Sequence, residues 1–255
     1  MTKDSREFHR CALEKMKTFT PARTPDGRPD MSGMWLDTTV VENLEKTTVI
    51  VDPPDGRIPY QPWVAAQREK AVAQFVSPTG MCFPVGAPRY MYSPTGVGGH
   101  RIIQQPNYVV FSMERLHHYR IVPLDGRPRL SQRVKLWMGD SRGRWEGNTL
   151  VIETANLNDL SWFEHHGTFM SDEARLEERL TFIDANTLHY QETVIDPRVF
   201  TRPWTIVQPL FRWNATGIAA HDLEDDTVEH CDIGLPHLFS LGFKPYPGLH
   251  AVAPK

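Results

Sequence analysis

Tight turns between alternating segments are the feature that most restricts how this chain can fold. The turn 146–149 (EGNT) separates Trp145 from Leu150, and the turn 184–187 (DANT) separates RLEERLTFI from LHYQETVI. Turns of this kind between alternating apolar segments predict β-hairpins. The 21 Pro and 17 Gly are spread along the chain, which favours short strands over long helices. We therefore predict a mainly β fold made of successive antiparallel hairpins.

Closure of these hairpins predicts an antiparallel up-and-down β-barrel with an interior site, and a β-sandwich is the alternative. A helix is predicted over residues 4–19, capped by Asp4, and Pro62 is predicted to begin a second helix that runs to about Phe75. Residues 38–51 are predicted to form a pair of strands. We divide the chain into an N-terminal helix and Pro-rich arm (1–30) and a single barrel domain (31–255).

Composition excludes several classes of function. The chain has 255 residues, 40% of them hydrophobic and 23% charged, which is typical of a globular protein. A formal net charge of -3 predicts no binding to nucleic acid or to an anionic membrane. No stretch approaches about 18 consecutive apolar residues, so no transmembrane helix is predicted. The first residues contain no apolar signal region, so we expect a cytoplasmic protein unless the sequence begins after processing.

Residues 107–122 (NYVVFSMERLHHYRIV) have strand composition together with several ionisable side chains. Treated as one strand with a period of two, the segment has a mostly apolar face that we expect to point into the core. This face consists of Val109, Phe111, Met113, Arg115, His117, Tyr119 and Ile121. It would bring Arg115, His117 and Tyr119 into the interior, whereas His118 belongs to the opposite face. The alternative is a strand whose polar end protrudes into solvent.

Each strand of the second hairpin has an apolar face with a single carboxylate. Leu176, Leu180 and Phe182 flank Glu178, while Leu188, Tyr190 and Val194 flank Glu192. A carboxyl group in such surroundings has a raised pKa and can serve as a general acid or base. The alternative is a buried ion pair of one or both carboxylates with Arg115 or Arg179.

The segment 155–173 is a predicted loop rich in aromatic and ionisable residues. If it covers the barrel mouth, Trp162 can stack on a ligand and His165 or His166 can reach the same cavity. His117, His165 or His166 with a glutamate could bind zinc, but no HExxH or paired CxxC spacing supports this, and we predict no metal. No nucleotide-binding glycine motif is present, so we also predict no redox or nucleotide cofactor.

Several motifs occur together in this order: SGMW, CFPVGAPR, DGRP, GRWEGNTLVIET, SDEARLEERL and DPRVFTRPW. In this combination the chain resembles a large bacterial family of poorly characterised proteins, many of them exported, over most of residues 20–235. The resemblance implies a lipocalin-like barrel and no established reaction. In an exported relative, Cys82 and Cys231 would be a reasonable disulfide; in a cytoplasmic protein both would remain buried thiols.

These patterns together predict an enzyme without a redox cofactor, a lyase, dehydratase, isomerase or cyclase that acts on a hydrophobic or aromatic substrate inside the barrel. His117 is the predicted acid–base group, Tyr119 and Glu178 assist it, and Arg115 stabilises an anion. The predicted substrate-binding residues are Trp162, His165, His166, Glu192, Phe111, Met113 and Tyr190. The alternative is a lipocalin-like binding protein in which the same residues only orient a ligand. A homodimer is possible.

Overall fold

The computed structural model describes residues 4–37, 41, 43–81, 83–91, 98–113, 118–164, 167–215 and 235–253. Its strands are β1 (Gly33–Asp37), β2 (Ile50–Asp52), β3 (Phe75–Val76), β4 (Gly98–Gln105), β5 (Tyr108–Met113), β6 (Tyr119–Pro123), β7 (Asp140–Glu146), β8 (Thr149–Ala155), β9 (Arg175–Asp184), β10 (Thr187–Ile195), β11 (Trp204–Arg212) and β12 (Lys244–Pro245). Its α-helices are α1 (Ser5–Thr18), α2 (Pro62–Gln74), α3 (Leu235–Ser240) and α4 (Leu249–Val252).

The strands form a nearly closed antiparallel barrel. The order is β6-β5-β4-β1-β11-β10-β9-β8-β7, with β2 paired to β11 outside this path. Every neighbouring pair in this order is antiparallel. The remaining two strands, β3 and β12, form a small parallel sheet. The predicted mainly β, up-and-down barrel is confirmed.

The barrel has a seam between β6 and β7, which lie in contact but share no backbone hydrogen-bond ladder. Nine strands cannot alternate in direction all the way round a ring, so one pair of neighbours has to be parallel. The pairings place the starts of both β6 and β7 at the same end of the barrel. The odd strand number therefore accounts for the parallel direction of β6 and β7 at the seam.

Close packing of side chains joins the two sides of the seam. A Cβ atom added to Gly143 of β7 would lie 2.6 Å from Leu124 Cδ2 and 2.8 Å from Val122 Cγ1. Gly143 therefore allows the β6 side to approach β7 in the absence of backbone pairing.

Both hairpins predicted from turn chemistry are present. Glu146 pairs with Thr149 at the end of β7 and β8, and Asp184 pairs with Thr187 at the end of β9 and β10. Gly147 has a φ of 60°, a conformation that glycine adopts without steric cost. The turn residues therefore fixed the register of these hairpins, as expected.

The prediction of one strand over residues 107–122 is wrong. The segment forms the hairpin β5–β6, in which Phe111 pairs with Arg120 and Ser112 pairs with Tyr119. In this register an odd-numbered residue of β5 always faces an even-numbered residue of β6. The inward positions therefore change from odd numbers on β5 to even numbers on β6. Tyr119 is consequently 66% exposed on the outer face, so its predicted inward position is wrong, and Arg120 is buried instead. Arg115 and His117 lie outside the described residues.

The predicted strand pair at 38–51 is also incorrect for the described part of that segment. Leu44–Lys46 is a short 3-10 helix begun by Asn43, whose side chain accepts a hydrogen bond from the Glu45 amide, and only the end of the segment enters β2. The local capping interaction competes with strand pairing in this segment.

The helices lie on the outside of the barrel or at its end. In α1 the Asp4 side chain accepts hydrogen bonds from the Arg6 and Glu7 amides, which confirms the predicted cap. Phe8 and Ala12 pack on Ile183 and Val207 of the outer barrel face. The second helix begins at Pro62, also as predicted. Within the described ranges, no helix has both the length and the apolar character needed to cross a membrane.

One end of the barrel, here called the covered end, is where β6, β7, β9 and β11 begin. Aromatic residues from the following loops close it: Phe163 packs against Trp204 at 5.3 Å between ring centroids, and Trp162 contacts Tyr246 at 5.2 Å. These residues belong to the main hydrophobic core. The polar groups described next lie on the inner barrel face toward this end.

Candidate functional site

The inner face carries a buried polar group, here called the Glu178 cluster. Strand register brings its members together, since Glu178 pairs with Glu192 across β9 and β10, and Ser141 pairs with Thr154 across β7 and β8. Its members come from five strands and are all buried. They are Arg120, Ser141, Thr154, Glu178, Tyr190 and Glu192.

Arg120 reaches across the seam and contacts one residue on each of three strands. Its Nε donates to Ser141 Oγ at 2.9 Å, and its Nη2 donates to Thr154 Oγ1 at 2.5 Å. Its Nη1 donates to Glu178 Oε1 at 2.8 Å, while Nη2 also donates to Glu178 Oε2. The charge of Arg120 is thus compensated by a bidentate carboxylate, the geometry that makes a guanidinium pair strong.

Tyr190 stands between the two carboxyl groups of the cluster. Its hydroxyl oxygen lies 2.9 Å from Glu178 Oε1 and 2.8 Å from Glu192 Oε2. A tyrosine hydroxyl has one proton and can donate to only one of these oxygens. Both oxygens of Glu178 accept from Arg120, so the consistent arrangement has Tyr190 donating to Glu178 and accepting from a protonated Glu192.

The surroundings of Glu192 favour the same protonation state. Burial raises the pKa of Glu192 well above its ordinary value, and the neighbouring Glu178 carboxylate raises it further. The charge of Arg120 opposes this rise without cancelling it, as would a hydrogen bond donated by Tyr190 to an ionised Glu192. The cluster therefore combines a carboxylate paired with Arg120 and a carboxyl group whose neutral form is favoured, an arrangement found where acids and bases work side by side.

The second oxygen of Glu192 has no hydrogen-bond partner among the described residues. This atom, Oε1, is fully buried, and so are Gln208 Oε1 and Trp204 Nε1, which also lack partners there. Glu192 pairs with Ile206 on β11, so Trp204 and Gln208 are its two diagonal neighbours on that strand. A buried polar atom without a partner costs free energy, and a group of them marks a place for water or a ligand.

A second interior pair lies on the adjoining strands. His100 Nε2 is 3.1 Å from Asp37 Oδ2, and both side chains are completely buried. The other ring nitrogen of His100 has no partner in the described part of the chain. The inner face from β4 to β10 is thus more polar than the core of a filled barrel requires.

Several predicted site residues do face the interior. Glu178, Tyr190 and Glu192 meet in one cluster, and Phe111 and Met113 are buried on the inner face of β5. Trp162 is also buried, but it packs within the aromatic cover against Tyr246. Tyr119 is on the outside, and Arg115, His117, His165 and His166 lie outside the described residues. Their proposed roles stay predictions.

Sequence reasoning missed the basic member of the cluster. The expected partner of the carboxylates was Arg115 or Arg179, whereas the partner is Arg120. Arg179 points outward and pairs with Glu146 and Glu177. Arg120 could have been identified only by recognising that the strand ends after Met113. Residues 114–117 contain no Gly, Pro, Asn or Asp, so the sequence does not mark a turn there. Ser141 and Thr154 gave no sign of their role.

Two adjoining clefts lie beside the cluster. They occupy about 500 Å³ and 390 Å³ between the segment 129–135 and the covered-end residues of β8, β9 and β10. Glu192 lines neither cleft, so the positions of the clefts differ from those of the unpartnered atoms. The smaller cleft is lined by Leu176 and by Thr154. Thr154 is also one of the residues that accept a hydrogen bond from Arg120. The unpartnered atoms mark the more specific site, because their desolvation has a cost that an open surface cleft does not have.

Three further polar contacts involve the loop that follows β8. Asp159 Oδ2 is 2.6 Å from His250 Nδ1, although His250 is largely exposed. Glu164 accepts from Thr168 at 2.6 Å and approaches Arg68 at 3.4 Å. In the ranges that the structure describes, no group of three His, Cys, Asp or Glu residues could hold a metal ion.

Strand order and the buried cluster define an antiparallel up-and-down barrel with a polar interior. No protein-family model matches the chain, and no curated protein matches it. Among solved structures, one match is a mutant of the fluorescent protein UnaG, which is 10% identical over 72% of this chain and 96% of that chain, with a TM-score of 0.31. The fold class follows from the strand order, and a similarity this low carries no argument about the site.

Proposed function

We propose that this protein binds a small molecule inside the barrel, beside Glu192. The observation that carries the proposal is the buried Glu192 Oε1, which has no partner among the described residues. Its diagonal neighbours on β11, Trp204 and Gln208, each have another such atom. A folding core selected only for stability would replace an unpaired buried acid with an apolar residue. A binding site keeps such groups because a ligand pairs with them.

The inner face offers the apolar surface that such a ligand needs. Ile206 and Trp204 flank Glu192 on β11, and Phe111 lies beside Arg120 on the inner face of β5 and β6. A small number of polar groups in an apolar wall is the usual composition of a small-molecule site. The ligand class is therefore a small hydrophobic or aromatic molecule with some polar groups.

The uncharged dye N-phenyl-1-naphthylamine tests this proposal by fluorescence titration of the full chain. We expect saturable binding of one dye per chain. Ile206→Phe, which enlarges the side chain opposite Glu192, should weaken binding at least about tenfold, equivalent to about 1.4 kcal/mol. Ile121→Ser is the control, because Ile121 lies on the outer face and is 52% exposed.

Loss of binding in both variants, or in neither, would contradict an interior site. An interior site is supported if Ile121→Ser binds the dye as wild type does and Ile206→Phe binds it more weakly. Because Ile206→Phe could lower stability, its folded fraction is checked by circular dichroism under the titration conditions. As a separate measurement, the dye should raise the Tm of the wild-type protein, since a ligand that binds only the folded state stabilises it.

Acid–base catalysis is a second candidate. It is favoured by one observation: a neutral Glu192 and an ionised Glu178 share the hydroxyl of Tyr190, which provides a route for a proton. In this function Glu192 would be the proton donor. Small molecules that copurify with the protein can be identified by mass spectrometry and incubated with wild type and Glu192→Gln. Conversion by wild type alone would favour the enzyme, and conversion by neither would favour the binding protein.

A further inference from the structure

We propose that the interior site is selective for an uncharged ligand that donates a hydrogen bond to Glu192. This inference rests on the proposed function and names the ligand class of the same site. It follows from the way the cluster uses its charges and its hydrogen bonds, and it separates this barrel from one in which an interior arginine holds an anionic ligand.

Arg120 is already committed to protein groups. Four hydrogen bonds leave its guanidinium, two to Glu178 and one each to Ser141 and Thr154. The Glu178 carboxylate balances its charge, so the cluster of six residues has no second cation to offer. An anionic ligand placed beside Glu192 would add a second buried negative charge near Glu178, which is costly without its own partner.

The protonated Glu192 presents an acceptor to the interior. Its proton lies on Oε2, toward Tyr190, which leaves Oε1 as a carbonyl oxygen without a partner in the described residues. The charged and titratable groups that act on Glu192 are Glu178 on β9, Tyr190 on its own strand and Arg120 on β6. The residues that face it from β11 have no titratable side chain.

Gln208 supplies a second acceptor of the same kind. Its Nε2 donates to the Met91 carbonyl, and its Oε1 has no partner in the part of the chain that the structure describes. Gln208 is a diagonal neighbour of Glu192, a relationship that separates two residues by about 7 to 8 Å. Ile206 lies opposite Glu192, and Gln208 is two residues further along β11. Two acceptors beside this apolar side chain fit an apolar molecule that has N–H or O–H groups, such as an aromatic amine, an amide or a phenol.

A matched pair of dyes tests the charge selectivity. N-phenyl-1-naphthylamine and 1-anilinonaphthalene-8-sulfonate share the same rings and the same N–H donor, and only the second has a negative charge. At neutral pH we expect the uncharged dye to bind at least about tenfold more tightly, equivalent to about 1.4 kcal/mol. Equal or tighter binding of the sulfonate would overturn the inference while leaving interior binding intact.

Two substitutions of Glu192 test the hydrogen bond. Glu192→Gln keeps a carbonyl oxygen and a donor toward Tyr190, whereas Glu192→Met keeps neither. We expect Glu192→Met to weaken binding of the uncharged dye about tenfold more than Glu192→Gln does. Equal effects of the two variants would overturn the inference, and no saturable dye binding by wild type would overturn the proposed function with it.

Infrared spectroscopy provides a readout that does not depend on a ligand. A protonated carboxylic acid has a C=O stretch distinct from that of a carboxylate. Wild type at neutral pH should show such a band, and Glu192→Gln should lack it. Identical spectra in this region would show that Glu192 is ionised and would overturn the inference.

Discussion

Arg120 on β6 donates to both carboxylate oxygens of Glu178 on β9, across the seam of the barrel. On the way it also bonds Ser141 on β7 and Thr154 on β8. The seam between β6 and β7 has no backbone hydrogen bonds, so this side-chain network joins strands that the sheet leaves unpaired. The ion pair thus holds the barrel together and also sets the charge of its interior.

Removal of Arg120 should destabilise the fold strongly. Arg120→Met leaves the Glu178 carboxylate buried without its cation, and breaking a buried pair in this way costs about 3 to 5 kcal/mol. The free energy of unfolding from urea denaturation measures the effect. Arg127→Met is the matched control, because Arg127 forms an exposed ion pair with Asp125 and its loss should have a far smaller effect.

The double variant Arg120→Met with Glu178→Leu should recover much of the lost stability, since it removes both buried charges together. An Arg120→Met protein as stable as Arg127→Met would show that the seam does not depend on this pair.

Gly143 should tolerate no side chain. Its added Cβ would lie 2.6 Å from Leu124 Cδ2, so Gly143→Ala should cost about 1 to 3 kcal/mol by overpacking. In an unconstrained strand the same change would stabilise by roughly 0.5 to 1 kcal/mol, so even the sign is informative. Leu124→Ala removes the nearer of the two obstructing groups and leaves Val122 Cγ1 at 2.8 Å. A double-mutant cycle by thermal denaturation should therefore show partial favourable coupling between the two changes. Additive effects would contradict the close approach.

The contact between α1 and the barrel should make stability fall at acidic pH. His9 Nδ1 lies 2.9 Å from His189 Nε2, and burial lowers the pKa of both, that of His189 to about 3. In the unfolded chain both titrate near 6.5. Between these values the unfolded state binds more protons, so the free energy of unfolding decreases as pH falls, for His189 by up to about 1.4 kcal/mol per pH unit.

His189→Phe should make this decline shallower while keeping a ring against Phe8, which stacks on His189 at 5.7 Å. Denaturation curves at a series of acidic pH values measure the slope. Leu13→Ser, an exposed and uncharged change on α1, should retain the wild-type slope. A slope unaffected by His189→Phe would rule out the histidine pair as its cause.

Glu192 should have the opposite pH dependence. Its pKa is raised in the folded state from an ordinary value of 4.5, so its contribution to stability is complete below pH 4.5 and is lost as pH rises toward the folded-state pKa. Glu192→Gln cannot ionise. Its unfolding free energy relative to wild type should therefore increase over the range from pH 4.5 upward, until the folded-state pKa of Glu192 is passed. A difference that stays constant over this range would show that Glu192 is not held in the protonated form.

Local chemistry in the sequence predicted much of the fold. Turn residues at 146–149 and 184–187 placed two hairpins correctly, and strand alternation placed Glu178 and Glu192 on the inner face. These features depend on contacts within about ten residues or on simple periodicity, so they can be derived without knowing which distant strands meet.

The tertiary structure decided which residue meets those carboxylates. The β5–β6 hairpin shifts the inward positions from odd to even numbers, which turns Tyr119 outward and Arg120 inward. Barrel closure then brings Arg120 to Glu178, 58 residues away in sequence. A period-two count is reliable only within one strand, and the partner of a buried charge depends on how the strands close. The sequence alone therefore determined that Glu178 and Glu192 lie on the inner face of the barrel. Only the closed barrel determined which of the two carboxyl groups pairs with Arg120.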